Sequence, residues 1–143
     1  MVDVKTEILI HRPLRAVAEY ATNPDNAPNW YENIKSAERK KPKPLTVGSQ
    51  IAFVAHFMGK KLSYTYEVTE FSPEKFVMRT AEGPFPMETT YAFKKSGESS
   101  TVMTLRNRGN PSGFSKLFAP FMAIMMRRAN NKDLKSIKAI LEK

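Results

Sequence analysis

Residues 2–10 alternate strictly, with Val2, Val4, Thr6, Ile8 and Ile10 on one side and Asp3, Lys5 and Glu7 on the other. That period of two is the mark of a half-buried strand. His11-Arg12-Pro13 then opens a helix, with Pro13 expected in the first turn, where its missing amide hydrogen costs nothing. Leu14, Val17, Ala18 and Ala21 give this helix an apolar side. Asn23-Pro24-Asp25 breaks it, and a second short helix is expected over 27–31.

The middle of the chain reads as a meander. An edge strand is expected over 34–40, ended by the stiff Lys41-Pro42-Lys43-Pro44 stretch and a turn at Gly48. Ile51, Phe53, Ala55 and Phe57 alternate up to Gly59. A tight turn at Gly59-Lys60 leads into Leu62, Tyr64, Tyr66 and Val68. Ser72-Pro73-Glu74, Gly83-Pro84 and Ser96-Gly97-Glu98 then separate three further alternating runs: Phe76, Met78, Thr80; Met87, Thr89, Tyr91, Phe93; and Thr101, Met103, Leu105, Asn107. Short strands joined by such turns predict one antiparallel sheet with sequential connections.

From residue 114 onward the period changes. Phe114, Leu117, Phe118, Phe121, Met122, Met125 and Met126 recur at spacings of three and four, which stack side chains on one face of a helix running over 114–143. The expected order is therefore strand, two short helices, six strands and a long helix, an α+β arrangement. A twisted antiparallel sheet of seven strands curls around what packs on it, and the long C-terminal helix needs such an apolar surface to lie on. Met and Phe at this junction suit an adaptable pocket as well as an ordinary core.

Composition narrows the picture. The 143 residues suit one domain spanning 1–143, large enough to bury a core without staples. The chain has no cysteine, which excludes disulfides, thiolate zinc sites and cysteine nucleophiles. No signal-peptide pattern opens the chain and no apolar run is of membrane-spanning length, so a cytoplasmic protein is expected. The formal charge is +9. Its basic residues gather at 39–43 and on the polar side of the last helix, where a solvated face carries charge. No zinc-finger, basic-zipper or RNA-recognition pattern gives that charge a specific nucleic-acid partner. A weak attraction to anionic membranes is the secondary expectation.

The order of elements resembles the helix-grip fold of the START-related superfamily, which includes polyketide cyclases/dehydrases, lipid-transfer domains and birch-pollen-allergen-like proteins. The resemblance rests on several stretches. They are the first strand running into Arg12-Pro13, then Val17 and Tyr20, Asn23-Pro24, Asn29-Trp30 and Val47-Gly48-Ser49. Further along come Tyr66-Glu67-Val68-Thr69-Glu70-Phe71 before Pro73, and Gly83-Pro84-Phe85-Pro86 ahead of Thr90-Tyr91-Ala92-Phe93. The resemblance covers nearly the whole chain and implies a cavity between sheet and long helix that holds a hydrophobic small molecule. On one such scaffold, fold alone does not set function.

Within that cavity, the ligand's apolar body is expected against Phe53, Phe57, Met78, Met103, Phe118, Phe121, Met122 and Met125. Tyr64, Tyr66 and Tyr91 would orient a polar group, and Trp30, Pro84 and Phe85 would form the entrance. Strand alternation also turns Thr80, Thr89 and Asn107 inward. It turns Glu67, Arg79, Glu88, Arg106 and His56 outward, and places no His, Asp or Glu inside. General acid–base catalysis needs a tuned group within reach of the substrate, so no catalytic residue, metal ligand or cofactor is assigned. The reading is a monomeric or homodimeric protein that binds a hydrophobic or amphipathic molecule or lipid without chemistry of its own. The alternatives are a polyketide cyclase/dehydrase-like enzyme, signalled by Arg79, Glu88 or Arg106 turned into the cavity, and an interaction protein with a filled cavity and a basic docking face.

Overall fold

The computed structural model describes residues 2–41, 44–57, 59–110 and 119–143, apart from the side chains of Phe57 and Ala119. Strand β1 (Val2–Ile10) leads into α1 (Leu14–Thr22), a single 3-10 turn (Pro24–Asn26) and α2 (Ala27–Trp30). Six strands follow: β2 (Ile34–Arg39), β3 (Gln50–Phe57), β4 (Lys60–Ser72), β5 (Lys75–Glu82), β6 (Met87–Lys95) and β7 (Thr101–Gly109). The long helix α3 is described over Ala119–Leu141. The expected helical start at Phe114, Leu117 and Phe118 lies outside the described residues.

The strands form one seven-stranded antiparallel sheet in the order β1-β7-β6-β5-β4-β3-β2. Strands β2 to β7 are the sequential meander that the turns predicted. The first strand joins the last, from Val2 opposite Gly109 to Ile10 opposite Thr101. Gly59 and Gly97 turn two of the hairpins with positive φ, 76° and 90°, where a Cβ is disfavoured. The sheet curls into a half-barrel, as the twist of a long antiparallel sheet requires, and α3 lies against β1 across its concave side.

Details depart from the sequence pattern in physically simple ways. Pro13 stands at the N-cap of α1 with ψ of 149°, extended rather than helical, so its ring precedes the first turn. Asn23 follows α1 and its Oδ1 accepts from the Asp25 amide at 3.0 Å, which starts the 3-10 turn. Register shifts interrupt the β4–β5 ladder at Thr65/Tyr66 and at Val68/Glu70. Adjacent residues Thr65 and Tyr66 are consequently both buried, as a bulge permits.

The main core joins Leu134, Ile137 and Leu141 of α3 to Ile10, Val17, Ala21, Trp30 and the inner face of the strands. A smaller cluster packs Met122 on Val2 and Val4. Along α3 the buried positions 122, 130, 133, 134, 137 and 141 trace one stripe at helical spacing. Arg127, Arg128, Lys132 and Lys135 lie exposed on the other side. Among the described residues, no helix is long and apolar enough to cross a membrane.

Candidate functional site

Between the concave face of the sheet and α3 the protein keeps a cavity of about 150 Å³. Strands β3 to β7 supply one wall, Tyr31, Asn33 and Ile34 after α2 close an end, and Met122, Met126, Ala129, Asn130 and Asp133 of α3 cover it. Alternation along each strand turns every second side chain inward. Phe53, Tyr64, Tyr66, Met78, Thr80, Thr89, Tyr91 and Asn107 therefore share the cavity wall.

An aromatic cluster forms part of the wall. Phe53 stacks on Tyr64 with ring centres 5.4 Å apart, and Tyr66 meets both. Tyr31 and Tyr91 join hydroxyl to hydroxyl at 2.7 Å. Burial raises the phenol of Tyr66 to about 12 and drives those of Tyr31, Tyr64 and Tyr91 above the ordinary tyrosine value as well. All four stay protonated at neutral pH and act as hydrogen-bonding alcohols, not as bases.

A polar track crosses from sheet to helix. Tyr66 Oη lies 3.0 Å from Thr89 Oγ1, Thr89 Oγ1 donates to Asn107 Oδ1 at 2.6 Å, and Asn107 Nδ2 donates to Asn130 Oδ1 at 3.2 Å. Thr89 has one hydrogen. Giving it to Asn107 makes Tyr66 the donor to Thr89, and the track then runs in one direction. It ends on Asn130 Nδ2, buried and without a hydrogen-bond partner.

The charged member of the lining is Asp133, only 3% exposed. Its Oδ1 accepts from the Glu32 amide at 2.9 Å, and among the described residues its second oxygen has no hydrogen-bond partner. Burial raises its carboxyl to about 6, and the nearby Glu32 carboxylate pushes the same way. The Glu32 amide and the Lys132 ammonium pull it back. Lys132 itself turns outward to Glu32 Oε1 at 3.2 Å.

The residues expected from sequence divide. Phe53, Tyr64, Tyr66, Met78, Tyr91, Met122, Pro84 and Phe85 border the cavity. Met103 is fully buried in the core and does not border it. Trp30 is 1% exposed, packed behind Tyr31 with ring centres 4.0 Å apart, and anchors the core instead of standing at an entrance. Phe121 is 48% exposed, and neither it nor Met125 faces the cavity. The rotation of α3 explains both, because Met122 and Met126 occupy the inward line and positions 121 and 125 fall beside it. Phe118 lies outside the described residues, as does the side chain of Phe57.

The charged strand residues stay outside. Glu88 accepts from Arg79 and Arg108, each at 2.6 Å, and Asp3 pairs with Arg106 at 2.6 Å. His56 is exposed. The expectation of an interior free of Asp is corrected by α3. Strand alternation carries no information about helix residues, whereas counting on from Met122 and Met126 in steps of three and four reaches Asn130 and Asp133. Among the described residues, no group of three His, Cys, Asp or Glu gathers to hold a metal ion.

Solved structures with this architecture include TTHA0849 from Thermus thermophilus, 22% identical, with 97% of this chain and 96% of that one covered and a TM-score of 0.82. The Zhui aromatase/cyclase from Streptomyces sp. R1128 is 12% identical over 98% of this chain and 93% of its own, with a TM-score of 0.81. Ginseng major latex-like protein 151 from Panax ginseng is 14% identical over 96% and 95%, with a TM-score of 0.73. At these identities the likeness is one of fold, the helix-grip arrangement. Among curated proteins none matches the sequence. The family model for polyketide cyclase / dehydrase and lipid transport matches residues 1–142, and with the half-barrel and its covering helix in place, this chain belongs to that START-like family.

Proposed function

We propose that this protein binds a hydrophobic or amphipathic small molecule in the cavity between the sheet and α3. The observation that carries the reading is a mainly aromatic and apolar lining with a few polar side chains, Asn107, Asn130 and Asp133 among them, which is how small-molecule sites are commonly built. Phe53, Met78 and Met122 would hold the apolar body, Tyr64, Tyr66 and Tyr91 would line its path, and Pro84 and Phe85 would form the rim. A space of this size takes roughly one aromatic ring or a short acyl segment without rearrangement. The flexible Met122 and Met126 side chains provide room for somewhat more. The binding unit is residues 1–143 as one cytoplasmic domain, monomeric or homodimeric.

Asp133 favours a second reading, an enzyme of the cyclase/dehydrase kind. A carboxylate titrating near 6 inside an apolar cavity is placed to take a proton from carbon or oxygen of a bound substrate. The open cavity weighs against a docking protein with a filled interior.

Native mass spectrometry of gently purified protein, followed by extraction of any passenger, tests the binding reading. A stoichiometric hydrophobic passenger is the expected outcome. An empty protein whose melting temperature ignores fatty acids, sterols and aromatic polyketides would count against it. Conversion of an aromatic polyketide by the wild type, lost in Asp133→Asn, would move the conclusion to the enzyme.

A further inference from the structure

The chemical class of the ligand follows from which polar groups in the cavity remain unspent, and this step rests on the binding reading above. Tyr66, Thr89 and Asn107 are occupied with one another along the polar track. Tyr31 and Tyr91 are occupied in their mutual bond, with a single hydrogen to spare. Asn130 Nδ2 ends that track without a partner but is a neutral donor, whereas Asp133 is a charged group. One of its oxygens is held by the Glu32 amide, the other has no hydrogen-bond partner among the described residues, and the residue is 3% exposed.

No Lys, Arg or His stands among the described residues that line the cavity. The nearest basic group in sequence, Lys132, is spent outward on Glu32. Among the described residues, the lining thus holds one carboxyl group, Asp133, with no basic side chain beside it in the cavity wall. Buried carboxylates in proteins are normally paired with a cation or several donors, because an isolated one is costly to desolvate. The rest of the lining is also suited to a cation: Tyr31, Tyr64, Tyr66, Tyr91 and Phe53 present aromatic rings, whose electron-rich faces attract positive charge.

We propose that the ligand carries an ammonium group, as a hydrophobic primary or secondary amine, which donates to the free oxygen of Asp133 while its apolar body lies among the tyrosines and Phe53. A ligand carboxylate could accept from Asn130 Nδ2 but would set a second anion beside Asp133, with no Lys, Arg or His among the described lining residues. A plain hydrocarbon would fill the apolar space and leave Asp133 unmatched.

Three one-ring probes of similar size separate these cases: benzylammonium, toluene and benzoate, each titrated into the intact protein at neutral pH and followed by NMR shifts of cavity residues. Benzylammonium should bind about tenfold or more tightly than toluene, the worth of one charge-assisted hydrogen bond, with benzoate weakest. In Asp133→Asn, which keeps an oxygen for the Glu32 amide, the preference for the ammonium should fall to near parity. Toluene binding as well as benzylammonium in the wild type would overturn the amine assignment and leave the binding reading standing. Tightest binding by benzoate would do the same. Absence of shifts with all three would overturn both readings. The ranking in wild-type protein decides the matter even should the variant fold poorly.

Discussion

Asp133 is a polar residue on a helix that a hydrophobicity pattern assigns to solvent, yet it sits 3% exposed against aromatic rings. Its carboxyl is raised to about 6 from the ordinary 3.8. Between about pH 4 and pH 6 the folded protein therefore keeps a proton that the unfolded chain has released, and the linkage relation makes stability fall as pH rises through that window. Above it the penalty is complete, at most about 3 kcal/mol. Asp133→Asn should remove this term, leaving the variant more stable than wild type by about 1–3 kcal/mol at pH 7.5 and much closer to it at pH 4.5. Urea denaturation at both values checks this. An unchanged difference between the two proteins across the window would show that Asp133 is not the group responsible. Asp3, Glu88 and Glu142, whose carboxyls are held low by their partners, act in the opposite sense in both proteins and cancel in the comparison. Such a residue could be found in the sequence only by carrying the helical count through the polar half of α3, where the apolar residues that mark the face have thinned out.

Among the elements, the strands were legible and the helix was legible in kind but not in rotation. Alternation placed Tyr64, Tyr66, Thr80, Thr89, Tyr91 and Asn107 on one side of the sheet, and one cavity borders all of them. Period two has only two phases, so naming the apolar face names the inward face. A helix has a continuous choice of rotation, and the run of Phe and Met at 114–126 is too broad to select one. That is why Phe121, Met122 and Met125 were all expected inside, whereas only Met122 of the three borders the cavity, together with Met126. The end of β7 offers a test at this scale. Gly109 lies opposite both Val2 and Met87, and a Cβ built there would meet the Met87 sulfur and stand 2.6 Å from the Pro86 carbonyl oxygen. Gly109→Ala should cost roughly 1–3 kcal/mol, as overpacking does in a filled site. It should also shift Pro84 and Phe85, which border the cavity. A thermal melt matching wild type would show that the β6 entry yields more easily than its packing implies.

For the whole molecule, the cavity exists only because distant parts of the chain meet. β1 closes on β7, the segment after α2 folds over one end, and α3 lies across the concave face. A ligand that binds only this closed form should stabilise it by mass action. At about a hundred times its dissociation constant the gain is about 2.7 kcal/mol, expected to raise the melting temperature by roughly 5–10 °C. The shift should keep growing with the logarithm of ligand concentration; a shift that saturates with occupancy would indicate binding to the unfolded chain as well. The sequence by itself determined the order of elements, the inward parity of the strands and the basic outer face, because each is written in neighbours within a few residues. The tertiary structure alone decided which line of α3 faces inward, that Trp30 packs behind Tyr31, and that Asp133 enters a cavity with no basic side chain among its described lining residues. These depend on how a helix rotates and settles on a surface assembled from residues a hundred positions away, and no local period encodes that contact.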